Sequence, residues 1–164
     1  MKKILFSIIG IGVLGVAWYG LSPLFMNKRV DDTLPVAVQP SKPENDSSKN
    51  DTASQEKPME SEAFPIVDTP AHPASGQVRI IQTGDETIVR YENYKTINGP
   101  DVRVYLAKDL DAKEYVDLGP LKGTEGNINY SVPKGVKIAD YKYALTWCED
   151  FAVLFNSADL SPKK

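Results

Sequence analysis

Residues 140–160 restrict the folds open to this chain more than any other stretch. The odd positions from Tyr141 to Trp147 carry large, mostly apolar side chains, and the even positions between them carry small or polar ones. This alternation is typical of a β-strand, and we expect the large side chains to form its packed face. Apolar residues resume at every second position from Phe151, which predicts a second strand entered through a tight turn or bulge. The stretch therefore favours a sheet.

The chain from residue 71 to residue 164 repeats this pattern of short strands and turns. Residues 77–82 and 87–91 are β-rich and flank a Thr-Gly-Asp-Glu segment, which predicts a hairpin. Further alternating runs begin at Val102, Val116 and Ile128. Strands at this spacing predict an all-β domain, a small antiparallel β-sandwich of about seven or eight strands.

The amino-terminal residues 1–30 have the composition of a membrane anchor. Residues 4–26 are uncharged and mainly apolar, and about 20 such residues span the hydrocarbon core of a bilayer. Trp18 and Phe25 lie toward the far end, where interfacial side chains are expected. A cleaved signal peptide with its cleavage site near residues 15–17 is the alternative. We expect a single-pass signal anchor that places the C-terminal domain outside the cytoplasm.

Residues 31–70 predict a disordered linker. They contain six prolines, many serines, nine acidic residues and three lysines, with few large apolar side chains. Such a segment cannot bury enough apolar surface to offset the entropy lost on ordering. The linker would hold the C-terminal domain near a membrane without docking it there.

The charge pattern and the scarcity of ligating residues exclude several kinds of function. The C-terminal part mixes both signs of charge, whereas a nucleic-acid surface needs clustered lysines and arginines, so we expect no nucleic-acid partner. Cys148 and His72 are the only cysteine and histidine, and two such residues cannot complete a zinc site. We therefore expect no metal, and the sequence requires no cofactor.

Several short motifs of the C-terminal part occur together in one family. They are NGPD at 98–101, VYL at 104–106, LG at 118–119, LKG at 121–123, GNINY at 126–130, WC at 147–148 and FAVLF at 151–155. In combination they resemble the DM-thirteen domain, a small β domain also found beside DOMON modules, over residues 71–160. Residues 18–19 and 22–25 look like the leader of bacterial or archaeal members, so the resemblance implies a membrane-anchored prokaryotic member.

The resemblance also implies a role for Cys148. In that family a cysteine directly after an aromatic residue is the signature, and it has been proposed to carry redox or electron-transfer chemistry. Cys148 after Trp147 fills that position. The chain departs from the family at three positions. Ile128 replaces a usual Gln, acidic Glu149 replaces a frequent basic residue, and Asn156 replaces a common Gly, which Asn can imitate at positive φ.

The residue types leave two interpretations of Cys148 open. It is either a small buried hydrophobe or a working thiol, which needs a nearby cation to favour the thiolate. Glu149 and Asp150 disfavour the thiolate unless Arg103 or Lys142 folds close to the sulfur.

These interpretations lead to two functions, neither of them that of a stand-alone enzyme. The first is a membrane-tethered redox or electron-transfer domain that meets a redox partner protein through Cys148 and Trp147. The alternative is a non-catalytic cell-surface binding module that uses exposed tyrosines and loop acids to recognise a surface ligand.

Overall fold

The computed structural model describes residues 27–35 and 59–162. Within these ranges it contains one short 3₁₀ helix, Ile138–Asp140, and ten β-strands. The strands are β1 Arg29–Asp31, β2 Met59–Glu60, β3 Phe64–Asp68, β4 Ser75–Thr83, β5 Glu86–Lys95, β6 Val102–Ala107, β7 Tyr115–Pro120, β8 Glu125–Ser131, β9 Tyr143–Cys148 and β10 Val153–Asp159. The predicted membrane span at residues 4–26 and the linker residues 36–58 lie outside the described residues. The described ranges contain no helix long and apolar enough to cross a membrane.

The strands form one continuous curled sheet. Their order is β1-β8-β5-β4-β3-β10-β9-β6-β7, and β2 pairs with β4. β1 and β8 pair in parallel, and the other pairs are antiparallel. β3 joins the two halves because Phe64 and Pro65 pair with β4, whereas residues 66–68 pair with β10. The all-β prediction is confirmed, but a curled ten-stranded sheet takes the place of the predicted sandwich of seven or eight strands.

Two of the additional strands, β2 and β3, come from residues that the composition assigned to a linker, and β1 begins in the range assigned to the anchor. β2 and β3 both lie within residues 31–70, and the side chain of Phe64 is buried in the core. This short apolar segment is hard to recognise as a strand in the sequence because prolines and acidic residues surround it. Pairing with β4 and β10, which come later in the chain, makes β3 part of the sheet.

The core forms where the two halves of the curled sheet face each other. β4, β5 and β8 contribute one set of buried side chains, and β6, β9 and β10 contribute the opposing set. The main members are Val78, Val89, Tyr91, Tyr94, Ile128 and Tyr130 from the first half and Val104, Leu106, Ala144 and Ala158 from the second. The first half supplies the bulky aromatic rings and the second supplies two alanines, so large and small side chains complement each other across the core.

The faces of β9 are assigned opposite to our expectation. Ala144 on the small-residue face packs into the main core, whereas Leu145 joins a second cluster with Tyr105 and Ala107 on the other face. Ala144, Leu145 and Thr146 are all buried. Small residues suit the inner face because the tyrosine rings of the facing half fill the space there. Both faces of this strand are therefore covered.

The β4–β5 hairpin confirms the shortest-range prediction. Thr83 pairs with Glu86 across the turn, and Gly84 has a φ of 55°. Glycine adopts this left-handed conformation without the steric cost that other residues meet. Gly119 and Pro120 are the last two residues of β7.

Candidate functional site

Cys148 is the last residue of β9 and is completely buried. It pairs with Val102 of β6 on one side and with Val153 of β10 on the other. Its thiol donates a hydrogen bond to the carbonyl oxygen of Pro100, with a sulfur to oxygen distance of 3.0 Å. The sulfur is thus satisfied inside the protein and has no contact with solvent.

Hydrocarbon side chains enclose the thiol. Cys148 forms a small buried cluster with Val102 and Phe155, and Leu121 packs against this cluster. Gly99 permits the arrangement because a Cβ at that position would lie only 2.8 Å from Cζ of Phe155. The NGPD motif therefore supplies both a close approach to Phe155 and the carbonyl group that accepts the thiol hydrogen.

His72 lies against the same phenylalanine. Its ring stacks on Phe155 with a centroid distance of 3.9 Å and an interplanar angle of 16°. The hydroxyl of Thr69 donates to the carbonyl oxygen of Phe155 at 3.1 Å, and a second hydrogen bond of 2.9 Å joins the hydroxyl oxygen to Nδ1 of His72. No local pattern in the sequence indicated that this histidine contacts the cysteine cluster.

Trp147 and Cys148 point to opposite faces of β9. Trp147 is half-buried and packs with Leu154 against the cluster around Tyr105 and Leu145. Successive side chains of a strand alternate between its faces, so the indole and the thiol are separated by the backbone. The two predicted site residues are neighbours in the sequence, but their side chains do not share a pocket.

Glu149 and Arg103, two charged residues considered as neighbours of the thiol, bind other side chains. Tyr105 donates a short hydrogen bond to the carboxylate of Glu149, and burial followed by this bond raises the pKa of Tyr105. Arg103 donates to Asp117 at 2.6 and 2.9 Å, which raises the pKa of the guanidinium. Tyr105 and Arg103 lie on the face of the sheet that carries Trp147, opposite the face of the sulfur.

Lys142, the second candidate cation, lies at the far end of β9. Its Nζ is 3.9 Å from a carboxylate oxygen of Asp159 and 5.0 Å from the ring centroid of Tyr143. Neither of the two proposed cations therefore contacts Cys148.

Two loops border the buried thiol, and both contain a residue in the left-handed region. Residues 98–101 include Asp101 with a φ of 37°, and residues 149–152 include Ala152 with a φ of 50°. The backbone amide of Glu149 donates to the carbonyl oxygen of Asp101 at 3.0 Å and joins the loops. A left-handed alanine costs about 1 kcal/mol, so the cover over Cys148 carries local strain.

A buried polar network lies beside the cysteine cluster. The hydroxyl of Tyr94 hydrogen bonds to the hydroxyl of Thr146 at 2.9 Å and accepts a bond from Nδ2 of Asn156 at 3.1 Å. The Asn156 amide also donates to Thr96 at 3.3 Å. Asn156 lies in β10 and lacks a positive φ, so the expectation that it imitates glycine is wrong. Its amide instead connects the two halves of the sheet.

The described ranges contain an apolar cavity but no cluster of candidate metal ligands. No group of three or more His, Cys, Asp or Glu residues comes together there in a way that could hold a metal ion. The cavity, of about 640 Å³, lies at the end of the sheet opposite to Cys148. Its lining includes Phe64, Ile80, Ile138 and Leu160, together with Lys108 and Lys142.

Comparison with known proteins assigns the domain. The family profile described as Electron transfer DM13 matches residues 66–160, which is more than half of the chain. Neither the curated proteins nor the solved structures gave a match. The matched range contains the complete Cys148 cluster and begins within β3, in agreement with the pairing of that strand. The chain therefore belongs to the Electron transfer DM13 family.

Proposed function

We propose that this protein is a membrane-tethered domain outside the cytoplasm with a redox or electron-transfer role, in which Cys148 is a latent thiol. Family membership supports a redox-related role. The observation that carries the proposal is the position of Cys148 at the end of β9, directly before a strained turn. The tether is the predicted span at residues 4–26.

The closed structure requires the thiol to act through local opening. A buried sulfur cannot meet an oxidant or a partner thiol, and only the thiolate reacts well. Opening breaks the hydrogen bond to Pro100 and the bond between Glu149 and Asp101, and it relieves the strain at Ala152. Local openings of this kind cost less free energy than global unfolding. Cys148 would then be reactive for a small fraction of the time.

Trp147 has a different place in this proposal. Its indole lies on the outer face of the sheet and is half-buried there. A redox partner that docks on this face would meet the aromatic ring first and the thiol only after the neighbouring turn has opened.

The proposal is tested by labelling the thiol in the folded protein. The chain has one cysteine, so a thiol reagent reports on Cys148 alone, and a Cys148→Ser variant gives the background. We expect slow labelling of the full-length protein in liposomes, with a rate that depends only weakly on urea. If the labelling rate rises with urea as steeply as global unfolding does, local opening is refuted, because the steepness reports how much protein surface the opening exposes.

Two alanines with the same backbone angle provide a matched control. Ala152→Gly should relax the turn beside Cys148 and slow labelling by roughly two- to fivefold, which corresponds to about 0.5–1 kcal/mol. Ala112 also has a φ of 50° but belongs to the segment between β6 and β7. Ala112→Gly should leave the labelling rate unchanged. Equal effects of the two variants would contradict a local role for the turn.

A redox role also requires exchange with a partner. In membranes of the producing cell, the parent protein should form a reducible mixed disulfide after mild oxidation, and Cys148→Ser should form none. Identical behaviour of the two proteins would refute the redox role of the thiol.

A non-catalytic binding module is the second candidate function. The complete burial of Cys148 favours it, and the cavity of about 640 Å³ would be its site. The lining of the cavity combines apolar side chains with Lys108, Lys142 and Asp140. The two lysines pair with Glu114 and Asp159, so a small amphipathic anion would take the place of these carboxylates. A fatty acid that raises the melting temperature of the parent, but not of a Lys108→Ala, Lys142→Ala double variant, would support this candidate. An equal shift in both proteins would argue against it.

A further inference from the structure

The amino-terminal part of the described chain is bound to the edge of the sheet. Residues 28–33, which we name the strap, contain β1 and pair in parallel with β8. The carbonyl oxygen of Lys28 accepts from the amide of Thr124 at 2.7 Å, and the amide of Asp32 donates to the carbonyl oxygen of Asn127 at 2.7 Å. The strap is thus hydrogen bonded at both of its ends.

Side chains of the domain extend these backbone bonds. The carboxylate of Asp32 accepts from the amide of Asn129 at 2.8 Å, and the side-chain amide of Asn129 donates to the carbonyl oxygen of Thr33 at 2.9 Å. The buried guanidinium of Arg90 donates to the carbonyl oxygens of Asp32 and Thr33 at 3.1 and 3.3 Å. Together, Asn129 and Arg90 thus bind the Asp32 side chain as well as backbone carbonyl oxygens of the strap, which favours this segment over other extended peptides.

Two glycines provide the space that the strap occupies. A Cβ on Gly126 would lie 2.0 Å from the carbonyl oxygen of Val30, and one on Gly123 would lie 2.7 Å from a methyl group of Val30. Val30 in turn packs against the main core. The edge of β8 is therefore shaped to receive the strap closely.

The strap enters at the end of the sheet where Cys148 lies. β1, β6, β8 and β10 begin at this end, which we name the Cys148 end, and β5 and β9 finish there. Chain geometry allows at most about 7 Å between Lys28 and residue 26, two positions earlier. The predicted span at residues 4–26 therefore joins the described chain at the Cys148 end.

The Cys148 end also exposes large apolar side chains. Phe151 at the tip of the β9–β10 turn is 69% exposed, Ile97 after β5 is 38% exposed and Val153 at the start of β10 is 37% exposed. An exposed aromatic tip, with other exposed apolar residues at the same end of the sheet, is suited to the interfacial region of a bilayer. Glu149 and Asp150 precede the tip, so a zwitterionic lipid surface fits it better than an anionic one.

We propose that the Cys148 end of the sheet rests on the membrane that anchors residues 4–26, with Phe151 in the lipid interface. The strap sets this orientation, since it leaves no free length of chain between anchor and domain. The inference rests on the membrane tether of the proposed function. It replaces the expectation of a domain that is held near the membrane without contacting it.

The test uses a single tryptophan at the tip of the turn in the full-length protein. The chain has two tryptophans, Trp18 and Trp147, and both are changed to phenylalanine while Phe151→Trp is introduced. The protein is reconstituted in phosphatidylcholine vesicles with and without brominated acyl chains. We expect a blue-shifted emission and a loss of intensity in the brominated vesicles.

Two further variants give the contrast that the proposal requires. Tyr115→Trp, in the variant that lacks both native tryptophans, places the reporter at the start of β7, at the opposite end of the sheet, and its emission should not be quenched. Gly126→Ala in the Phe151→Trp protein should displace the strap and abolish quenching. Gly119→Ala is its matched control, because Gly119 has a φ of 113° against 115° for Gly126 but has no atom within 4 Å of the added carbon.

The possible outcomes separate this inference from the tether on which it rests. A protein that fails to float with the vesicles overturns both the tether and the docking. A protein that floats while Trp at position 151 stays unquenched overturns the docking alone. Persistent quenching in Gly126→Ala would show that the strap does not set the orientation. Circular dichroism confirms for each variant that the sheet is retained.

Discussion

Removal of the Tyr94 hydroxyl tests whether the buried network beside Cys148 stabilises the domain. Tyr94→Phe keeps the ring but deletes the hydrogen bonds to Thr146 and Asn156, whose side chains are 0% and 1% exposed. Asn156 keeps its bond to Thr96, whereas the Thr146 hydroxyl keeps only the nearby Tyr91 hydroxyl, which does not hydrogen bond to it in the described structure. A buried polar group without a partner costs about 1–3 kcal/mol, and a lost hydrogen bond about 1 kcal/mol. We expect the free energy of unfolding to fall by about 2–4 kcal/mol.

Tyr91 provides the matched control within the same core. Its ring centroid lies 4.8 Å from that of Tyr94, and it is equally buried. The Tyr91 hydroxyl lies close to Thr146 but makes no hydrogen bond with any described group. Tyr91→Phe removes a buried hydroxyl that has no partner, so it should leave stability unchanged or raise it by about 1 kcal/mol.

Urea unfolding in detergent, followed by near-ultraviolet circular dichroism, measures both changes. For a slope of about 2 kcal/mol/M, the midpoint for Tyr94→Phe should fall by about 1–2 M, and the slope itself should not change. The midpoint for Tyr91→Phe should stay or rise. Equal losses in the two variants would refute the reasoning, because they would trace the cost to the ring environment rather than to the hydrogen bonds.

Three further predictions concern the cover of the thiol, the pH dependence and β3. Gly99→Ala should push Phe155 from its place, cost about 1–3 kcal/mol and accelerate the labelling of Cys148, as measured by labelling kinetics. Burial opposes ionisation of Glu92, but hydrogen bonds from β4 and β5 lower its pKa below the usual value near 4.5. Ionised Glu92 therefore stabilises the fold fully above the usual pKa, and this stabilisation is lost as the pH falls through the lowered pKa of the folded state. Glu92→Gln should consequently weaken the dependence of the melting temperature on acid pH. Phe64→Ala should cost about 3–5 kcal/mol in urea unfolding if β3 belongs to the core, and little if residues 31–70 are only a linker.

Local patterns were sufficient for much of the β structure. The β4–β5 hairpin follows from a turn segment between two β-rich runs, and both strands of residues 143–159 follow from alternation. These features depend on neighbouring residues, which a single sequence displays directly. The motifs around Pro100 and Cys148 likewise indicated the family before any contact was known.

The inner face of β9 could not be read from the same alternation. A period of two shows that the faces of a strand differ, but it does not show which face meets the opposite half of the sheet. The tyrosines of β5 and β8 decided it, because their bulk requires small partners such as Ala144. The sealed environment of Cys148 follows from this assignment.

What the sequence determined by itself is the β-rich character of the domain, its hairpins, its family and the presence of an uncharged span. The tertiary structure decided which side of Cys148 is covered, where His72 lies and how Asn156 is used. It also revealed that residues 28–33 bind β8, about 96 positions later in the chain. These are long-range contacts, whose free energy depends on surfaces that exist only after distant segments have folded together.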